Sequence, residues 1–249
     1  MEGELIITYG LEIFIIILQW IIVLALIFRA KRTKLNNFYI LVLTLFLEGF
    51  GAIFFTRSLY LIAFIMFDIA IWSHLIFIRL TFYKDRKNPI SILLALIIPI
   101  SIIHWIFSGI YNIGLNTSFL LYFVLNLLYS ILMFFTYGWM AYSMIKSYLN
   151  IRNNKMLEPW IKARYLLVIT YVIGKLLMGI LMPLFPVDRT ILDWSLMISG
   201  LVAFYIVFAQ FLAWVMPKGL KKWLNRNFTD QKDEKILSEE NIMKSLEET

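Results

Sequence analysis

Residues 11–34 read "LEIFIIILQWIIVLALIFRAKRTK": an apolar run from Leu11 to Phe28, broken only by Glu12 and Gln19, then four basic residues at Arg29, Lys31, Arg32 and Lys34. About 20 apolar residues is the length a helix needs to cross the hydrocarbon core of a bilayer. A cluster of lysine and arginine at one end marks the cytoplasmic side. The preceding "MEGE" has no basic n-region, and no small-residue cleavage site follows, so this first helix is expected to stay in the mature protein.

The rest of the chain repeats the pattern. Of 249 residues, 61% are hydrophobic and 17% aromatic, and the mean hydropathy is +0.80. That composition belongs to an integral membrane protein. At about 20 residues per crossing, the length accommodates seven helical spans and no separate catalytic domain. Apolar runs bounded by charge or turn residues place the spans near 5–28, 37–56, 58–82, 90–108, 118–146, 162–185 and 192–216. Only helices and closed barrels satisfy their backbone in lipid, and the strict alternation of a barrel strand is absent. The sequence therefore predicts an all-α bundle at 1–216, an amphipathic segment at 217–228 and an acidic tail at 229–249.

Orientation follows from the basic residues. "RAKRTK" holds four, "KDRK" at 84–87 three, residues 146–164 five and the tail from Lys218 seven, so 19 fall on one side; the opposite loops hold only Arg57 and Arg189. The positive-inside rule puts the N-terminus outside and the C-terminus in the cytoplasm of a multi-pass protein of the cell membrane. The net charge of +7 is then a topology signal, and nucleic acid is not an expected partner. Pro159 marks a break before the sixth helix, Pro99 is expected to kink the fourth, and Pro183 and Pro186 to bend or end the sixth. After Pro217, "KGLKKWLNRNF" sets Leu220, Trp223, Leu224 and Phe228 on one face, with Lys218, Lys221, Lys222 and Arg226 on much of the other. This spacing predicts an interfacial helix lying on the anionic cytoplasmic leaflet.

Inside the spans, ionisable residues are rare and expensive, so each one is a candidate site. In "YVIGKLLMGI", residues 171–180, Lys175 stands at the middle of the sixth helix; Glu48 and Asp68 stand at a similar depth in the second and third. The three are expected to form one cluster, with Lys175 countered by Asp68 or Glu48, and with Trp72 and Tyr171 as walls. Gly49, Gly51, Gly174 and Gly179 would let neighbouring backbones approach. Such a cluster either leaves one carboxylate to bind a proton, cation or amine, or is a salt-bridged device that fixes helix packing.

Other chemistry is poorly provided for. There is no cysteine, hence no disulfide, thiolate metal site or thiol nucleophile. His74 and His104 are the only histidines and lack metal-ligand spacing, so each is read as a hydrogen-bonded structural residue and no metal is expected. No G-x-S-x-G elbow or phosphate-binding glycine loop occurs, and no catalytic residue is assigned. The seventh helix has no lysine for a retinal Schiff base, and no cofactor is expected. Asn116 opens a glycosylation sequon in an outer loop, and Asp188, Arg189 and Asp193 are expected to solvate the turn between helices six and seven.

Seven helices, an outer N-terminus, a long third inner loop and a basic segment after "WVMPKGLKKWLNR" resemble the layout of seven-helix receptors. The plan is also similar to the seven-helix sensor regions of archaeal and bacterial membranes. The resemblance implies a sensor for a small molecule or membrane state, signalling to a cytoplasmic protein through residues 147–161 and the tail. The receptor family's signalling residues do not carry over, since no N-P-x-x-Y motif closes the last helix. A small transporter or channel using Glu48, Asp68 and Lys175 is the second expectation; a membrane scaffold or lipid-handling enzyme is the third.

Overall fold

A computed structural model describes residues 2–56, 59–83, 90–112, 119–154, 157–181 and 189–226. Among these the chain forms eight α-helices and no strand: α1 (Glu2–Thr33), α2 (Asn36–Thr56), α3 (Tyr60–Phe82), α4 (Ile90–Asn112), α5 (Phe119–Ile151), α6 (Pro159–Leu181), α7 (Arg189–Val215) and α8 (Lys218–Leu224). The helices start and stop within a few residues of the apolar runs, with α5 carried on to Ile151. Asp85, Arg86, Asn116, Pro183, Pro186, Asp188, Phe228 and the tail 229–249 lie outside the described residues.

The ends of the helices have local causes. Lys34 takes a left-handed φ of 56° and its N–H closes on the Ala30 carbonyl at 2.9 Å, which ends α1. Pro159 opens α6, where its missing N–H is one of the donors a first turn leaves unsatisfied anyway. Pro99 lies inside α4 without breaking it. Met216 has a φ of 43° and precedes Pro217, and across this elbow the end of α7 and α8 meet at 78°.

Each long helix packs on its sequence neighbours and α7 closes onto α1, so the seven form a ring; α3 reaches across it to α5, and α8 touches α6. Among the described residues six helices, α1 to α6, are long and apolar enough to cross a membrane, and the bent pair of α7 and α8 passes the same test only when taken together. Their outer faces are as apolar as their inner ones. On α1, Leu18, Ile22, Leu26 and Ala30 are buried, while Ile13, Ile17, Ile21, Leu24 and Phe28 are exposed. A helix of a water-soluble bundle turns a polar stripe outward, whereas one apolar all round is suited to a surround of lipid.

With apolar surface on both sides of each helix, specific packing comes from close contact and from a few polar ties. The Gln19 side-chain amide donates to the Leu45 carbonyl at 3.1 Å, Asn37 to the Thr81 hydroxyl at 3.2 Å, and Arg164 Nε to the Ala213 carbonyl at 2.8 Å. Ser130 of α5 donates to the Gly179 carbonyl of α6. Here the backbones are so close that a Cβ on Gly179 would stand 2.8 Å from the Met133 Cβ; on the other flank of α6, one on Gly174 would stand 2.8 Å from Ile206 Cγ1. Gly179→Ala should therefore cost about 1–3 kcal/mol through overpacking, read as a lower midpoint of thermal unfolding in detergent. Gly109→Ala, whose Cβ would meet nothing within 4 Å, is the control and should be neutral or mildly stabilising.

Candidate functional site: two buried polar networks

Lys175 points into the ring from α6 and is 7% exposed. Its ammonium pairs with the Glu48 carboxylate of α2, donates to the Tyr137 hydroxyl of α5 at 3.2 Å, and lies 4.8 Å from the centre of that ring. Tyr137 in turn donates to Glu48 Oε1 at 3.0 Å. Its oxygen is also 3.2 Å from His74 Nδ1, and that nitrogen is 3.6 Å from Glu48 Oε1. Because the single phenol proton is directed to Glu48, His74 must donate from Nδ1, which leaves a bare lone pair on Nε2. That atom indeed has no partner, and a lone pair is cheaper to leave unmatched than an N–H. Helices α2, α3, α5 and α6 thus meet at one charge-balanced knot. The Glu48 side chain keeps 16% of its surface exposed, against 0% for His74.

Asp68 is not part of this knot, which corrects the expectation of one three-charge cluster. It is fully buried on α3 and its Oδ2 sits 2.9 Å from Nδ1 of His104 on α4, itself fully buried. The physical reason is rotation along α3. Asp68 and His74 are six residues apart, about 1.7 turns and about 9 Å along the helix, and they face α4 and the α2–α5 side respectively. Trp72 goes with the α3–α4 seam: its indole donates to Ser101 at 3.1 Å and lies against Trp105, so it does not wall the lysine site. Tyr171 is fully buried one turn from Lys175 on α6.

The sequence singled out Glu48, Asp68 and Lys175 by their cost in lipid. It assigned both histidines a structural hydrogen bond, and each does contact a carboxylate. Tyr137 was missed, because nothing marks it among the aromatic residues of α5 until its hydroxyl is seen between three partners. No group of three or more metal-binding side chains occurs among the described residues.

At the other end of α6, Leu157, Trp160 and Ile161 are buried, which removes them from the surface expected at 147–161; the outward part is the end of α5, where Leu149, Asn150, Arg152 and Asn153 are exposed. Glu158 accepts from the Trp160 indole at 2.6 Å and from Asn225 at 2.5 Å, while Asn225 accepts from the Trp160 backbone N–H at 3.3 Å. The Trp160 ring is flanked by Arg164 at 4.6 Å and Lys221 at 3.9 Å. These contacts clamp α8 to the start of α6. Leu220 and Leu224 face the bundle, whereas Trp223, expected to share their face, is 56% exposed.

A buried pair broken from one side leaves an uncompensated charge, costing on the order of 3–5 kcal/mol. Lys175→Met should show that loss in thermal or denaturant unfolding, and adding Glu48→Gln should recover much of it. Adding Asp68→Asn should recover none. Recovery through Asp68 instead would contradict the division into two networks.

No family model, curated protein or solved structure matches the chain, so the site stands on its own geometry.

Proposed function

We propose that the protein is a seven-span sensor of the cell membrane, with its N-terminus outside and its C-terminus in the cytoplasm, in which the Lys175 network is the element that changes state. The observation that carries this reading is that α6 holds Lys175 at mid-helix and the α8 clamp at its first turn. The two are 15 residues apart, about 22 Å along one helix. A change in the pairing of Lys175 acts on the same rigid rod that α8 grips. Gly174 and Gly179 pin that rod against α7 and α5, so it can pivot there and displace its far end. On this reading α7 is the seventh span, and α8 is an interfacial helix held to the anionic leaflet through Lys218, Lys222 and Arg226, with Trp223 in the headgroup layer. The end of α5 and the tail then present the surface for a cytoplasmic protein.

The chain has no cysteine, so introduced ones report cleanly. Cysteines at Asn116 and Arg189 should react with an impermeant reagent from outside, and those at Lys34, Asn153 and the C-terminus should not. Spin labels at Asn153 and Lys222 should give one distance distribution in the parent protein and a second, shifted population in Glu48→Gln. Unchanged distances in that variant, together with substrate flux in liposomes, would move the assignment to a transporter using the same charges.

A further inference from the structure

Asp68 and His104 form a pair that the Lys175 network neither uses nor compensates. Both side chains are fully buried, with one hydrogen bond between Oδ2 and Nδ1. The other carboxylate oxygen and the other ring nitrogen, Oδ1 and Nε2, have no hydrogen-bond partner. Their surroundings are aromatic: the imidazole lies edge-on to Phe64 at 4.8 Å and 5.8 Å from Tyr129, and Trp105 approaches Asp68 without its indole N–H making a hydrogen bond.

Counting protons defines what is missing. One proton belongs to the line between Nδ1 and Oδ2. If that is the only one, Asp68 is an anion, His104 is neutral, and the pair carries one net negative charge in an apolar shell. Ion burial of that kind is among the costliest arrangements a protein can hold. The charged and titratable groups facing the pair are His104 of α4 itself and Tyr129 of α5; Glu48 of α2 and His74, further along α3, are engaged in the Lys175 network. None is a cation available to Asp68. Lys175 is already committed to Glu48. A second proton, on Asp68 Oδ1 or His104 Nε2, makes the pair neutral, and those are the two atoms left without partners.

From this we infer that Asp68 and His104 are a proton-binding site, and that the ligand whose arrival or loss the bundle registers is a proton. The inference rests on the sensor reading for its consequence, and on the α3–α4 geometry for the site itself. Binding adds one proton and removes one buried negative charge; release restores it. The carboxylate and imidazole need no metal or further ligand for this exchange. The Tyr129 ring lies 5.8 Å from that of His104, and Tyr129 stands eight residues before Tyr137 on α5, so one helix borders both the pair and the Lys175 network.

The test is infrared difference spectroscopy of the full-length protein in lipid nanodiscs, stepped between mildly acidic and mildly alkaline buffer. A protonated-carboxyl stretch, for a proton on Oδ1, or an imidazolium ring mode, for one on Nε2, should appear reversibly on the acid side and shift in D₂O. It should be lost in Asp68→Asn and persist in Glu48→Gln. Should Asp68→Asn not fold, nitrogen-15 NMR of the two histidines reads the same event in the parent chain: His104, identified by its absence from His104→Gln, should change protonation or tautomer over the same interval. A carboxyl band that survives Asp68→Asn, or no change at Asp68 and His104 across the interval, overturns the site. Movement of α8 with Asp68 and His104 silent would leave the sensor reading and remove this one. Titration at the pair with α8 stationary would do the reverse.

Discussion

The contact between Lys175 and Glu48 is the constraint to which the packing of the ring's interior answers. An ammonium and a carboxylate can share an apolar bundle only when they meet and their remaining donors and acceptors are filled. Tyr137 does the filling, with its proton on Glu48 and its oxygen toward Lys175 and His74. For this to happen α2, α3, α5 and α6 must arrive at one point in one rotational setting, since turning any of them by a residue would carry its polar group toward lipid. Apolar packing alone would not specify this, because the outward faces of these helices are nearly as greasy as the inward ones. Glycines at 51, 174 and 179 supply the close approach that the setting needs.

Much of this architecture was legible in the sequence because lipid imposes one dominant rule, an unbroken apolar run for each crossing. The helix limits track the apolar runs, and Pro159 and Pro217 sit where α6 and α8 begin. The cost of an ionisable group within an apolar run selected Glu48, Asp68 and Lys175. Which way each residue faces was harder, since a helix apolar on every side has no amphipathic pattern to fix its rotation. Glu48 is level with His74, about 9 Å along α3 from Asp68, and the two acids belong to different seams that only tertiary packing reveals. The burial of Trp160 was hidden for a related reason. Its environment is made by Arg164, by Lys221 of α8 and by Asn225 just beyond that helix, partners that a linear reading places in solvent or at the membrane surface.

Helix α3 has a role that its neighbours do not share. It supplies one member of each polar network and packs on α2, α4 and α5. A shift of α3 of even part of a turn would disturb both networks together, whereas α4 meets α3 through Asp68 and His104 and through Trp72 and Ser101. The two polar groups therefore share α3 and divide between its α2–α5 side and its α4 side.

The partners in the central pair are 127 residues apart in the chain. During synthesis α2 is laid into the membrane long before α6 exists. At a translation rate of about 5–20 residues per second, Glu48 waits roughly 6–25 s for its lysine. His74 is made much earlier, 26 residues after Glu48, followed by Tyr137. The nascent chain must carry Glu48 through that interval as an uncharged acid or against α3, so the order in which the helices are made is itself part of how this charge is housed.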